Sequence, residues 1–146
     1  MVSMNQPSTE TVAAWIGLLR AQRSVVARVE ARLKAAGLPP LSWYDALWEL
    51  EKAGDAGLRP CALERAMLLE QYNLSRLVDR LHRKGLVEKL PCPEDRRGSV
   101  LAITETGRAL RQQMWATYAV AIAAEFGVHF TPAEAATLAA LLSRLD

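Results

Sequence analysis

Only two cysteines and two histidines occur among these 146 residues, and that scarcity removes several kinds of protein at once. Two cysteines make no disulfide framework. His82 and His129 stand far apart, and the chain has no H-E-x-x-H, no C-x-x-C pair and no G-x-S-x-G, so neither a zinc site nor a nucleophile elbow is written here. No glycine-rich phosphate loop appears either. No catalytic residue, metal ligand or cofactor is therefore expected. Long apolar runs are also missing. The most apolar early stretch, Val12 to Leu19, is short, follows Glu10 and stops at Arg20, so neither a membrane span nor an export signal is expected and a cytoplasmic protein is.

Net charge is only +2, too little by itself to imply nucleic acid. Its distribution says more. Residues 71–97 carry seven Lys and Arg against four acids, which leaves eleven against twelve elsewhere, so the positive charge is concentrated in one short stretch. About half the residues are apolar, enough for one core at this length but not for two large domains.

Within the basic stretch, Leu74, Leu77, Val78 and Leu81 recur at helical spacing and form one apolar stripe. Tyr72, Arg76, Asp79, Arg80 and Arg83 project from the opposite side, with Asn73 and Ser75 on the flanks and Gln71 at the helix start. Such a face suits a DNA major groove, where Arg reads guanine, Asn or Gln reads adenine, and Ser serves base or phosphate. It is equally what a solvated helix would show, laced by pairs such as Asp79 with Arg83. The residues that follow favour the first reading. Gly85 stops the helix, Leu86 to Leu90 is extended, Pro91, Pro93, Gly98 and Ser99 enclose a turn, and Val100 to Ile103 returns as a strand. At the tip, DRRG places Asp95 two residues from Arg97, close enough for the carboxylate to orient the guanidinium for a narrow minor groove. The outline is a recognition helix followed by a two-stranded β wing.

Proline and glycine mark the other junctions. A helix from about Glu10 to Ala36 ends at Gly37. A second is expected to open with Ser42 as its cap and Asp45 three residues on, and to end near Gly54. Pro60 to Met67 forms a short brace. Thr104 begins a long helix to about Phe126, and Thr131-Pro132-Ala133-Glu134 is a capping box that opens the last. Met1 to Ser8 reads as a loose tail. The class is mainly α, with six helices and a hairpin.

The ordered set LSWYDALWEL, PCALERAMLLEQYNLSRLVDRLHRKGLVEKL, PEDRRGSVLAIT followed by ETGRAL, and FTPAEAATLAALL resembles the MarR-type winged helix-turn-helix transcription regulators, from about Thr11 to Leu145. The resemblance implies one MarR-like domain: a winged helix-turn-helix over about 41–103, and terminal helices over about 10–36 and 104–146 that form a dimerisation region. It implies a sequence-specific dimeric DNA-binding regulator, and a repressor is expected. Two positions depart from the pattern. Leu68 stands where the turn between the two helices often has Gly, and Glu70 where Ser, Thr or Asp usually caps the recognition helix.

On this reading Gln71, Tyr72, Asn73, Ser75 and Arg76 reach bases, Arg80, Arg83 and Lys84 contact phosphates, and Asp95, Arg96 and Arg97 form the wing tip. Trp15, Ile16, Leu19, Val25, Val26 and Val29 near one end, with Met114, Trp115, Tyr118, Ile122, Leu138, Leu141, Leu142 and Leu145 near the other, exceed what a small winged domain buries. A homodimer on a pseudo-palindromic double-stranded DNA operator is expected. The resemblance also implies a small-molecule effector: Trp15, Arg20, Trp43 and Trp48 lie on segments that could line a cleft for an aromatic acid or phenol, although tryptophan at helical spacing is more often simply core. Cys92, between two prolines in the wing, offers a thiol-based trigger instead, although two reduced thiols are the plainer reading of Cys61 and Cys92. A dimeric interaction module without DNA binding would fit the terminal helices but leave Arg76, Arg80 and Arg97 unexplained.

Overall fold

The elements follow in the order expected. A computed structural model describes residues 5–146, with the side chain of Arg96 outside the described set. Of the expected tail, residues 1–4 also lie outside it, while Ser8 accepts a hydrogen bond from the Thr11 amide at 3.1 Å and so caps the first helix. Six α-helices span Thr9–Ala35 (α1), Leu41–Ala53 (α2), Pro60–Ala66 (α3), Leu74–Arg83 (α4), Glu105–Glu125 (α5) and Pro132–Leu142 (α6), and two antiparallel strands, Val87–Cys92 (β1) and Asp95–Ile103 (β2), lie between α4 and α5. Two compact units emerge: one joins the chain up to Arg32 with Ala119–Asp146, the other is Leu33–Tyr118.

The second unit holds a core in which Leu47, Leu50, Leu63 and Leu81 have no exposed surface and Val87, Leu101 and Ile103 are nearly as buried. The α4 stripe behaves as its periodicity requires. Leu77, Val78 and Leu81 are buried and Leu74 packs against the same cluster, each large apolar side chain contributing about 1.5–3 kcal/mol. Gly85, at φ +73, ends the helix: its amide and that of Leu86 donate to the carbonyls of His82 and Leu81, an arrangement that needs the left-handed conformation glycine adopts without strain. Strand pairing runs from Val87 opposite Ile103 to Pro91 opposite Ser99. Leu58 adds a one-residue bridge to Leu101, with reciprocal bonds of 2.9 and 2.8 Å. Gly57 makes this possible, since a Cβ there would collide with the Leu101 carbonyl.

Two expectations about helix starts are corrected. α2 opens at Leu41, so Ser42 lies inside it and Pro40 occupies the capping position without a side-chain bond. The proline ring, with φ already at −57°, launches the helix without a hydroxyl cap. α4 opens only at Leu74, where the Asn73 side chain accepts from the Arg76 amide at 3.1 Å. Asn73 is thus the cap, three residues beyond Glu70, where the resemblance had placed it.

In the first unit, Val29 and Ala121 are the buried residues among those described. Arg28 and Arg32 both reach Glu125, at 2.9 and 2.7 Å, and hold its carboxyl below the usual range, Arg32 contributing most. The expected capping box closes reciprocally: the Glu134 amide donates to the Thr131 hydroxyl at 3.1 Å and the Thr131 amide to the Glu134 carboxylate at 3.0 Å. Yet α6 buries no residue. Trp15, Ile16, Leu19, Leu141, Leu142 and Leu145 are exposed, with Trp15 at 60%. Of the second unit's share in the expected surplus, Trp115 is exposed and Met114 is buried. No helix among the described residues is long and apolar enough to cross a membrane.

Candidate nucleic-acid interface

Four elements of the second unit assemble this site. α4 carries Ser75, Arg76, Arg80 and Arg83, all exposed, on the side away from its buried stripe, and Lys84 is exposed at its C-terminal cap. Gln71 and Tyr72 were expected on this helix but precede it, because the helix begins at the Asn73 cap. Tyr72 is fully exposed, while the Gln71 side chain donates to the Leu69 carbonyl at 3.5 Å. The Asn73 oxygen is committed to the cap, so its side chain is less free to read a base than its position alone suggested.

Charges on the helix are organised by the wing. Asp79 pairs with Lys89 of β1 at 2.8 Å, rather than with Arg83, whose Nε instead donates to the Asp79 carbonyl at 3.4 Å. The hydrogen bond from Lys89 holds the Asp79 carboxyl below its usual range. With its one acid paired across to the strand, the outer face of α4 is left to arginines.

The wing departs from expectation in two respects. DRRG does not form the tip: the turn is Pro93-Glu94, and Asp95 already begins β2, opposite Cys92. Asp95 does orient Arg97, but through the backbone, its Oδ1 accepting from the Arg97 amide at 2.9 Å. The guanidinium beside its Oδ2, at 3.3 Å, belongs to Arg59. The Arg97 amide first, and then Arg59, hold the Asp95 carboxyl down. Gly98 leaves room for this pair, since a Cβ there would stand 2.7 Å from Arg59 Nη2. The Arg97 side chain is exposed; the Arg96 side chain, expected beside it, lies outside the described residues.

Beneath this surface Asp45 is the buried charged residue among those described, 5% exposed. Its two oxygens accept from the amides of Leu68 and Leu69 at 3.0 and 2.8 Å. Burial pushes its carboxyl above the usual range although both amides pull the other way. Arg59 was not singled out from the sequence, and Asp45 was read only as the residue three beyond the expected cap of α2, a part it does not play because both its oxygens turn to the Leu68 and Leu69 amides. An acid on the buried face of LSWYDALWEL was a readable signal for Asp45; nothing near Arg59 pointed to a partner 36 residues away.

The expected effector residues divide between the units. Arg20 borders a groove of about 350 Å³ in the first unit, floored by Val25, Phe126 and Phe130, and Trp15 is exposed on the same helix. In the second, Trp43 packs against the core, and Trp48 lies under the Arg111 guanidinium, 4.9 Å from its ring centre. Arg111 in turn pairs with Glu51 at 3.0 Å. Tyr44, Trp115 and Tyr118 form an aromatic cluster with centroids 4.9–6.0 Å apart. Cys92 is half-buried at the end of β1 and Cys61 is exposed.

A family model described as the MarR family matches residues 36–98, from the approach to α2 through the wing. The multiple antibiotic resistance protein MarR of Escherichia coli (strain K12) is 33% identical over 90 residues, 62% of this chain and 62% of that protein. The aligned part of the chain thus spans less than two thirds of this relative's length. Among solved structures, a mutant of E. coli MarR complexed with operator DNA is 25% identical with a TM-score of 0.78, over 93% of this chain and 95% of that one. Sco3205 of Streptomyces coelicolor, a MarR family transcriptional regulator in complex with DNA, has the same fold at a TM-score of 0.84 and 20% identity, covering 99% and 91% of the two chains.

Proposed function

We propose that this chain, which has the fold of the MarR-type winged helix proteins, is a homodimeric, sequence-specific DNA-binding regulator that represses its target and is released by a small aromatic effector. The observation that carries the reading is the exposed arginine face of α4 beside a wing whose own charges are held in place, on a unit that buries the other side of the same helix. In this reading Arg76 and Ser75 reach base edges in the major groove, Tyr72 and Gln71 contact DNA from the segment ahead of α4, Arg80, Arg83 and Lys84 meet phosphates, and Arg97, aimed by the Asp95 bond to its amide, follows the minor groove.

The dimer is supported by the apolar surface left uncovered on α1 and α6, where Trp15, Ile16, Leu19, Leu141 and Leu142 are exposed. Exposed apolar area of that extent calls for a partner. A two-fold dimer sets two α4 helices about 34 Å apart, one turn of the duplex, and so calls for an inverted repeat. The effector reading draws support from aromatic side chains set beside cations, Trp48 with Arg111 in one unit and Phe126 and Phe130 near Arg20 in the other.

Selection of bound duplexes from a random library, followed by titration of the recovered site at about 50 and 200 mM salt, tests the proposal. An inverted repeat whose affinity falls by orders of magnitude over that range is expected, because several phosphate contacts each release counterions. A library that yields no motif, with no duplex bound at low salt, sinks it.

A further inference from the structure

Resting on the DNA-binding reading above, we infer that Asp45 is a positioning residue for DNA recognition: from α2 it tethers the turn between α3 and α4 and so sets the path of the segment that carries Gln71, Tyr72 and Asn73.

The turn has little of its own to hold it. Leu68 occupies the place where glycine would ease the chain reversal, and the backbone at Met67 is already extended, at φ −63° and ψ 142°. α4 does not begin until Leu74. The amides of Leu68 and Leu69 therefore lie outside both helices, and their acceptors are the two oxygens of one carboxylate, 23 and 24 residues away in sequence. A carboxylate with two amide donors makes strong, directional bonds. Lys52, the cation on the same helix, is itself paired with Glu49 at 2.9 Å, so it is the backbone amides that hold Asp45 in place.

A core residue kept only for stability would be apolar here, because burying a carboxylate costs more than its hydrogen bonds commonly return. What Asp45 adds is placement. α4 is anchored independently by Leu77, Val78 and Leu81, but the turn ahead of it is not packed on all sides. A hollow of about 260 Å³ lies against it, lined from Glu64 to Tyr72; Leu68 is 81% exposed and Tyr72 wholly so. Released from Asp45, this segment has room to move while the helix behind it stays seated. Two side chains proposed to meet DNA, Gln71 and Tyr72, would move with it, and so would the Asn73 cap.

The test combines amide exchange with DNA binding on the full chain. In wild type without DNA, the Leu68 and Leu69 amides are expected to be protected from exchange. In Asp45→Asn, which keeps the size but turns an N–H toward one of the two donors, at least one should lose protection while Leu77 and Leu81 keep theirs. Affinity for the selected operator should fall tenfold or more, with a smaller loss on random duplex. Leu50→Ala, a fully buried core position on α2, serves as a control for lost stability and should keep operator affinity within about threefold at a temperature where it is folded. Asp45→Ser, smaller and with one acceptor, carries the same expectation if Asp45→Asn does not fold. Operator binding by a folded Asp45 variant within threefold of wild type overturns the inference, as does free exchange of both amides in wild type. Wild type that binds no duplex overturns the DNA-binding reading itself, and the exchange result then tells separately whether Asp45 tethers the turn.

Discussion

Arg76 and Arg83 share a helix and a charge, yet their surroundings separate them. Arg76 stands in the first turn of α4 on the exposed face, while Arg83 folds back so that its Nε meets the Asp79 carbonyl. Arg76→Ala is expected to cost about 1–3 kcal/mol on the operator and relax preference at one base pair, whereas Arg83→Ala weakens all sequences alike. Equal losses for Arg76→Ala on operator and random duplexes would remove it as a reader. In the wing, Gly98→Ala places a methyl against the end of the Arg59 side chain, which is flexible enough to swing away. Both partners of the Arg59–Asp95 pair are about half exposed, so solvent screens it and its loss should lower the melting temperature little. The Asp95 carboxyl should then titrate only slightly higher, because the Arg97 amide is the larger cause of its depression. Carbon-detected titration that finds Asp95 fully back in the ordinary carboxylate range would show that Arg59 mattered more than the amide.

Helices and strands depend on contacts of differing range. α6 is set by a cap made within four residues, Thr131 with Glu134, and the same short range made it readable from TPAE. α1 and α5 are joined differently, through Glu125 and its two arginines. The folded-state carboxyl of Glu125 is depressed, so its contribution to stability is present above the unfolded carboxylate pKa and is lost as pH falls through the lower folded value. Glu125→Gln should therefore melt below wild type at pH 7, and the gap should close as both are taken below the usual carboxylate range. A gap that persisted unchanged into that acid range would mean that packing, not charge, is what the substitution disturbs. For α4 the apolar period located the helix correctly, but its first residue was misplaced because Asn73, rather than Glu70, provides the acceptor for the free amides of the first turn.

At the level of the whole molecule, uncovered apolar surface argues for assembly. Leu19 and Trp15 on α1 are 46% and 60% exposed, beyond what a lone chain of this size gains by leaving in water. Leu19→Glu is expected to convert a dimer into a monomer by sedimentation at micromolar concentration. With only one recognition helix per particle, operator affinity should drop by at least a hundredfold, since the second half-site then binds independently. The same variant should retain the fold of the winged unit, whose core draws on none of these residues. A Leu19→Glu protein that sediments with wild type, or a wild type that is monomeric at that concentration, would defeat the two-fold geometry proposed for the operator.

The amino-acid sequence by itself determined the class, the element order, the buried stripe of α4, the glycine stop at Gly85 and the last helix cap. All of these follow from backbone preferences and apolar periods acting over a few residues, so their causes sit side by side in the chain. Only the tertiary structure decided that Asp45 turns inward to the Leu68 and Leu69 amides instead of capping α2, that Arg59 rather than Arg97 brings its guanidinium to Asp95, and that Lys89 takes Asp79 from Arg83. These partners are 10 to 36 residues apart, and a charged group chooses among distant candidates by which one the packed core brings within about 3 Å. The core itself makes that choice. Once Leu47, Leu63 and Leu81 close on one another, α2, α3 and α4 have fixed directions, and the polar side chains between them bond to what those directions put in reach.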